Sequence, residues 1–285
     1  PTFNTNNTLE VKNGRHPVME AINKLNTYVP NDVTINDNEH FILISGPNMG
    51  GKSTFMKQVA LASIMAQIGC FVAADSACLP VFDGIFTRIG ASDDLISGQS
   101  TFMIEMNEVN YALQHSSEHS LILFDEVGRG TATFDGMALA QAIIEYICDK
   151  KKAITLFSTH YHELTALSNS IKGLVNLHAA VVENDDDVTF LYKMVLGATN
   201  KSYGINVARL AHLPDELLKR AKEILEIKES NGNVIVNTNP IKTKEVIKEP
   251  EYVNELKKMN PLEMTPLEAL TYLFELKRKV DGGSK

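Results

Sequence analysis

The 285-residue chain contains no tryptophan, only three cysteines, and no apolar run long enough to cross a bilayer. Cys70, Cys78 and Cys148 make neither a C-x-x-C pair nor a zinc-ligand spacing, so they read as free thiols of a reducing compartment rather than a disulfide framework. The longest apolar stretch, Val59 to Ala74, is broken by Gln67 and Gly69 and falls short of the roughly 20 residues of a membrane span. It reads as a buried helix running into a strand. No basic segment leads into an apolar one at the start, as a secretory signal requires, so a cytoplasmic location without a membrane partner is expected. Positive charge is scarce as well. The formal net charge is -8, and residues 1–241 carry 18 basic against 27 acidic side chains. Such a body is a poor partner for a phosphate backbone, so any nucleic acid should be held mainly by segments outside this chain. The first residue is Pro1 rather than Met, which points to a piece of a longer protein.

What is present centres on Gly46-Pro47-Asn48-Met49-Gly50-Gly51-Lys52-Ser53-Thr54. The apolar run Phe41 to Ile44 precedes these nine residues, and a helical pattern begins near Lys52. Strand, glycine loop and helix form the context that makes G-x-x-x-x-G-K-[ST] a phosphate-binding P-loop. The glycines allow successive backbone N–H groups to wrap an anion, and the helix start adds partial positive charge. Lys52 is placed to reach the β- and γ-phosphates of a nucleoside triphosphate, and the Ser53 hydroxyl to ligate Mg²⁺.

Around that loop, strand and helix patterns alternate. Pro1 to Asn7 is polar and expected to fray; Thr8 to Val11 reads as a short strand, and Gly14 to Val18 as a turn into another extended piece. Val33 to Ile35 and Gly84 to Ile89 read as strands, the latter buried, and a helix is expected over Thr101 to Gln114 with Phe102, Met106, Val109 and Leu113 inward. Leu121 to Phe124 reads as a central parallel strand, Asp135 to Cys148 as a helix, and Ala153 to Phe157 as the next strand. The expected class is α/β with a mostly parallel sheet, in which ligands sit beyond the carboxyl ends of the strands. Leu174 to Val182 and Val188 to Leu196 flank an acidic turn and read as an antiparallel hairpin. That turn lacks the glycine and distal glutamate of a calcium loop. Two helices follow, Tyr203 to Leu210 and Pro214 to Glu229. Residues 230–249 read as a flexible linker, and residues 250–285 as a small helical tail, with helices over Tyr252 to Met259 and Pro266 to Val280.

Three strand ends should converge on one site. Asp125, closing an apolar strand, is the expected Mg²⁺ partner of the P-loop, held through the metal's water shell. Glu126 is suited to orient and deprotonate an attacking water. His160, at the next strand end, is suited to a hydrogen bond with the γ-phosphate; the spacing of His160, His162 and Glu163 is not H-E-x-x-H and suggests no zinc site. Ser100 ends a polar loop, Gly90 to Ser100, at a helix start, an anion-binding device. Since the pocket already has its own loop, Ser100 would serve a nucleotide bound to another subunit.

Together with the nine-residue loop, Ser100 to Met106 and Asp125-Glu126-Val127-Gly128-Arg129-Gly130-Thr131 resemble the C-terminal ATPase domain of the MutS family of DNA mismatch-repair proteins. Gly14-Arg15-His16-Pro17, Ser158-Thr159-His160-Tyr161 and Lys201-Ser202-Tyr203-Gly204 fit the same family, as does Leu262 to Leu270 in the tail; the main match runs from about Leu9 to Glu229. The resemblance implies an ABC-type ATPase working as a homodimer, with ATP and Mg²⁺ between subunits and Ser100 as the signature serine acting in trans. It places Tyr28 as the aromatic stacked on adenine, with Asn31 nearby and Tyr192 on the adenine side where some relatives have histidine. Gly128 to Asp135 matches a loop communicating between the two sites, with Ala132 where serine is frequent. Residues 203–229 match a helix-turn-helix used for dimerisation rather than for reading DNA. Mismatched double-stranded DNA, contacted by regions absent here, and a MutL-type repair protein are the implied partners. Two other readings stay open: another ABC-type motor, although Leu95-Ile96-Ser97-Gly98-Gln99-Ser100 differs from Leu-Ser-Gly-Gly-Gln, and a non-hydrolysing nucleotide-dependent dimerisation module.

Overall fold

The computed structural model describes residues 1–22, 28–36, 38–90, 100–184, 187–199, 203–231 and 264–282. They form a mixed α/β structure with two sheets. The chain divides into two compact units, residues 1–226 and 227–285.

The larger sheet contains β4 (Phe41–Ser45), β6 (Ile85–Arg88), β7 (Leu121–Asp125), β8 (Ile154–Ser158), β9 (Leu174–Asn184) and β10 (Asp187–Leu196), in the order β10-β9-β4-β8-β7-β6. All neighbours are parallel except β9 and β10. The hairpin is therefore no separate element: β9 continues the parallel sheet, pairing Ile42 with Val175 and Ile44 with Leu177. Strands β4 and β8 are buried along their whole length, as strands covered on both faces must be. Ile42 and Ile44 point to the face covered by α2 (Lys52–Gln67), where they meet Phe55, Met56 and Val59. Phe41 and Leu43 point the other way, toward α3 (Thr101–His115) and α4 (Thr133–Tyr146), and pack with Val109, Ala140 and Ile144. The period of two along one strand thus divides the core into two layers.

The smaller sheet was not legible as a unit. It orders β1 (Thr2–Asn4), β5 (Ser76–Pro80), β2 (Leu9–Gly14) and β3 (Asn31–Ile35) as β1-β5-β2-β3. Residues 1–7 do not fray as expected: Thr2 to Asn4 pairs with Cys78 to Pro80, and Asn4 Nδ2 donates to the Thr8 carbonyl at 2.8 Å. A polar segment can fill an edge position because only one side of its backbone must be paired there. Gly14 to Val18 does not lead into an extended piece either. Pro17 opens α1 (Pro17–Ile22), where its missing N–H is no loss, and Met19 N donates to His16 Nδ1 at 3.3 Å.

Two further differences concern burial. Strand β6 is half-exposed rather than buried, because it is the edge of the larger sheet. Helix α3 buries Glu105, Val109 and Ala112, while Phe102, Met106 and Leu113 are only partly covered. Helix α4 starts two residues earlier than expected and passes into a π-helical turn, Ile147–Lys151, ended by Lys152 at φ +55°. Then come α5 (Gly204–Leu210) and α6 (Asp215–Asn231), separated by His212 at φ +59°. The last helix, α7 (Pro266–Gly282), begins with a capping box in which Thr265 N donates to Glu268 Oε2 at 2.9 Å. The expected loop residues Ala91 to Gln99, the turn residues Asp185 and Asp186, Lys201 and Ser202, the linker from residue 232, Leu262 and Glu263, and the helix Tyr252 to Met259 lie outside the described residues. Among the described residues no helix is long and apolar enough to cross a membrane.

Candidate functional site

The site forms where β4, β8 and β7 end side by side. After Ser45 the chain turns through Gly46 at φ +112°, makes a single 3₁₀ turn over Asn48–Gly50, and enters α2 from Gly51 at φ +86°. Only glycine adopts these two backbone conformations without strain. A side chain at Gly50 would also meet Ala179 of β9, 2.6 Å from its Cβ. Pro47 starts the 3₁₀ turn in an extended conformation, Met49 stands exposed on it, and Thr54 is half-buried in the first turn of α2.

No side chain caps the start of α2, so its first N–H groups keep free hydrogen-bonding capacity. Beside them lies Lys52, only 2% exposed. Its Nζ donates to the Gly46 carbonyl at 2.7 Å and to Asn48 Oδ1 at 3.3 Å, and stands 3.8 Å from Glu126 Oε1. Burial lowers its pKa below the usual lysine value, opposed by the nearby carboxylates of Glu126 and Asp125.

Strand β7 delivers those carboxylates. Asp125 ends the strand, and its Oδ1 accepts from Ser158 Oγ of β8. Glu126 takes φ +52°, which swings its side chain out of the strand's alternation. Its N–H donates to the Ser158 carbonyl at 3.1 Å and approaches Ser158 Oγ at 3.2 Å. The Arg129 guanidinium donates to Glu126 Oε2 at 2.7 Å. One residue of β8 therefore aligns both acids, and Glu126 lies between two cations.

The turn after Glu126 is gripped from both sides. Gly128 N donates to the buried Glu105 carboxylate of α3 at 2.5 Å, and Tyr161 Oη donates to the Gly128 carbonyl at 3.0 Å. Sequence reading missed Arg129, Ser158 and Glu105 as site residues. All three lie in or beside recognised segments, but each acts through a partner on another element.

A cleft of about 380 Å³ is lined by Lys52, Ser53, Asp125, Glu126 and Arg129, together with Thr101 and Glu105 of α3. An ammonium, uncapped helix N–H groups, a hydroxyl and two carboxylates therefore face one space, an arrangement suited to an anion and a divalent cation together. Among the described residues no three His, Cys, Asp or Glu side chains gather as a metal cluster. His162 Nδ1 lies 3.1 Å from the Thr199 carbonyl.

The remaining sequence candidates each make contacts of their own. His160 follows β8 with its ring centroid 3.9 Å from that of Tyr161. Partial burial lowers its pKa, while Glu126 raises it. Ser100 is exposed and caps α3, accepting from Met103 N at 3.2 Å, and its neighbour Thr101 lines the cleft. Tyr192 sits in a bulge of β10 at φ +54°, and its ring abuts Gly51: a Cβ there would lie 3.5 Å from Tyr192 Cδ1. Tyr28 Oη donates to Gln58 Oε1 at 2.8 Å. Asn31, expected near the adenine, bonds β10, donating to the Tyr192 carbonyl at 2.9 Å and accepting from Met194 N at 2.7 Å.

Comparison with known proteins bears on the same region. Residues 42–228 match the family described as MutS domain V. The chain is 51% identical to the DNA mismatch repair protein MutS of Listeria welshimeri, over 98% of this chain and 35% of that protein. It is 52% identical to the protein of the same description from Streptococcus uberis, over 98% of this chain and 34% of the relative. The chain thus spans about a third of the length of these relatives.

Proposed function

The chain belongs to the MutS family, and from that premise we propose that it is the ATP-binding and ATP-hydrolysing motor of a DNA mismatch repair protein. One observation carries the reading: the buried Lys52 ammonium beside the uncapped start of α2, facing Asp125 and Glu126 across one cleft. Loop residues 46–54 take the phosphates of ATP through backbone N–H groups and the Lys52 ammonium. Ser53 and Asp125 hold Mg²⁺, and their hard oxygen donors, both lining the cleft, fit a cation that keeps part of its water shell. When bound, the ion neutralises charge on the phosphate oxygens.

Glu126 accepts a proton from the attacking water, whose oxygen bonds to the γ-phosphorus as the bond to the bridging oxygen of ADP breaks. In this structure Glu126 is paired with Lys52 and Arg129. Transfer of the Lys52 ammonium to phosphate oxygens frees one side of Glu126, while Arg129 keeps the carboxylate aligned. His160 donates a hydrogen bond to the γ-phosphate. Tyr28 and Tyr192 contact the adenine, and Asn31 belongs to that end of the site. Ser100 reaches the γ-phosphate bound to a second copy, and residues 128–135 pass the state of one site to the other.

Residues 1–229 constitute the motor, with residues 203–229 as its dimerisation helices, followed by a linker that starts after α6 ends at Asn231 and by a tail over 250–285. ATP binding closes the homodimer and hydrolysis reopens it, controlling a clamp on mismatched DNA formed by segments outside this chain. A MutL-type protein reads the resulting state. Phosphate release measured against protein concentration tests this: turnover per chain should rise steeply as copies pair. Turnover per chain independent of concentration removes the composite site. ATP binding without any release favours a dimerisation module.

A further inference from the structure

Two buried amides connect Tyr28 and Tyr192. Tyr28 Oη donates to Gln58 Oε1 at 2.8 Å, and Gln58 Nε2 donates to the Asn31 carbonyl at 3.3 Å. Asn31 Nδ2 in turn donates to the Tyr192 carbonyl at 2.9 Å, and Asn31 Oδ1 accepts from Met194 N at 2.7 Å. Gln58 is 1% exposed and Asn31 4%, so neither amide exchanges these partners freely with water. Gln58 belongs to α2, the helix that begins at Lys52. Room for its amide depends on Gly14, where a Cβ would lie 2.3 Å from Gln58 Nε2.

The bulge that carries Tyr192 cannot hold itself. A non-glycine residue at φ +54° persists only where its surroundings over-determine it. Asn31 bonds the backbone just after that position, at the Tyr192 carbonyl and Met194 N, and Lys193 Nζ between them donates to the Pro30 carbonyl at 2.8 Å. The same arrangement sets the Tyr192 ring against Gly51.

We propose that Gln58 and Asn31 are positioning residues that fix Tyr28 and Tyr192 as two preset contacts for the base of a purine nucleotide, in register with the loop that takes its phosphates. The proposal rests on the reading of both tyrosines as contacts to the base. Asn31 then acts through Tyr192 and not by touching the base. Preset contacts improve affinity by removing the ordering cost at binding, and they act on the nucleoside alone.

Asn31→Asp keeps the size and the acceptor for Met194 N, but points an oxygen at the Tyr192 carbonyl. Affinity for ATP is expected to fall about tenfold while affinity for inorganic tripolyphosphate stays unchanged, and the preference for ATP over CTP to narrow. Tyr28→Phe keeps the ring, loses the bond to Gln58, and should move the same ratio in the same direction by less; it serves as the test if Asn31→Asp does not fold. ATP and tripolyphosphate weakening together, or neither changing, overturns the proposal. Tyr192→Ala separates the two layers of the argument. A ratio unchanged in Tyr192→Ala defeats the base-site reading and the proposal with it. A ratio lowered in Tyr192→Ala but unchanged in Asn31→Asp and Tyr28→Phe defeats the relay alone.

Discussion

Lys52 and Glu126 sit 3.8 Å apart, yet their removal should have opposite consequences. Lys52→Ala deletes the ammonium that the loop holds in place, and ATP affinity should fall at least tenfold in equilibrium titration. Glu126→Ala leaves the loop and Lys52 intact, so ATP should still bind while phosphate release drops by about two to four orders of magnitude, the usual share of a general base. Unchanged turnover in Glu126→Ala would remove it from that role. The residue types needed for this chemistry were readable along the chain, because each sits in a motif whose spacing dictates its place at a strand end. Arg129 was not readable as the partner of Glu126. That ion pair depends on Glu126 adopting φ +52°, which no local pattern announces.

Elements carry the site through close backbone contact as much as through side chains. Gly128 takes φ +93°, and a Cβ on Gly136 would lie 2.1 Å from the Gly128 carbonyl oxygen and 2.4 Å from Tyr161 Oη. The start of α4 therefore packs directly on the turn that follows Glu126. Gly136→Ala should destabilise the fold by about 1–3 kcal/mol, as overpacking does, seen as a lower denaturant midpoint. A midpoint equal to wild type would show that the turn can move away at no cost. Helices α2 and α3 and strands β4, β7 and β8 were legible because apolar period and length agree in each. Strands β1 and β5 were not: β1 has only three residues, and β5, between Ser76 and Pro80, has no long apolar run, so the pairing of the two shows only in the folded chain.

At the scale of the molecule, three histidines lie on scattered elements with pKa values lowered chiefly by burial: His16, His40 and His160. His40 Nε2 is buried without a hydrogen-bond partner among the described residues. Below a pH of about 6.5 the unfolded chain binds these protons more readily than the folded one, so stability is complete above that value and is lost as pH falls toward the lowered folded values. Thermal melts at fixed ionic strength should show a melting temperature falling by several degrees between about pH 7.5 and 5.5. A flat profile over that range would contradict the neutral-histidine account.

The order of residues alone determined the α/β class, the glycine loop, the two acids at the end of one strand, and the family, because each depends on contacts within about a dozen neighbouring positions. Tertiary structure alone decided that the hairpin joins the parallel sheet beside β4, that Ser158 aligns both acids, and that Asn31 serves β10. Those pairings link residues up to 163 positions apart. A hydrogen bond over such a separation leaves no period in the sequence, since it forms only after the sheet has brought its two ends together.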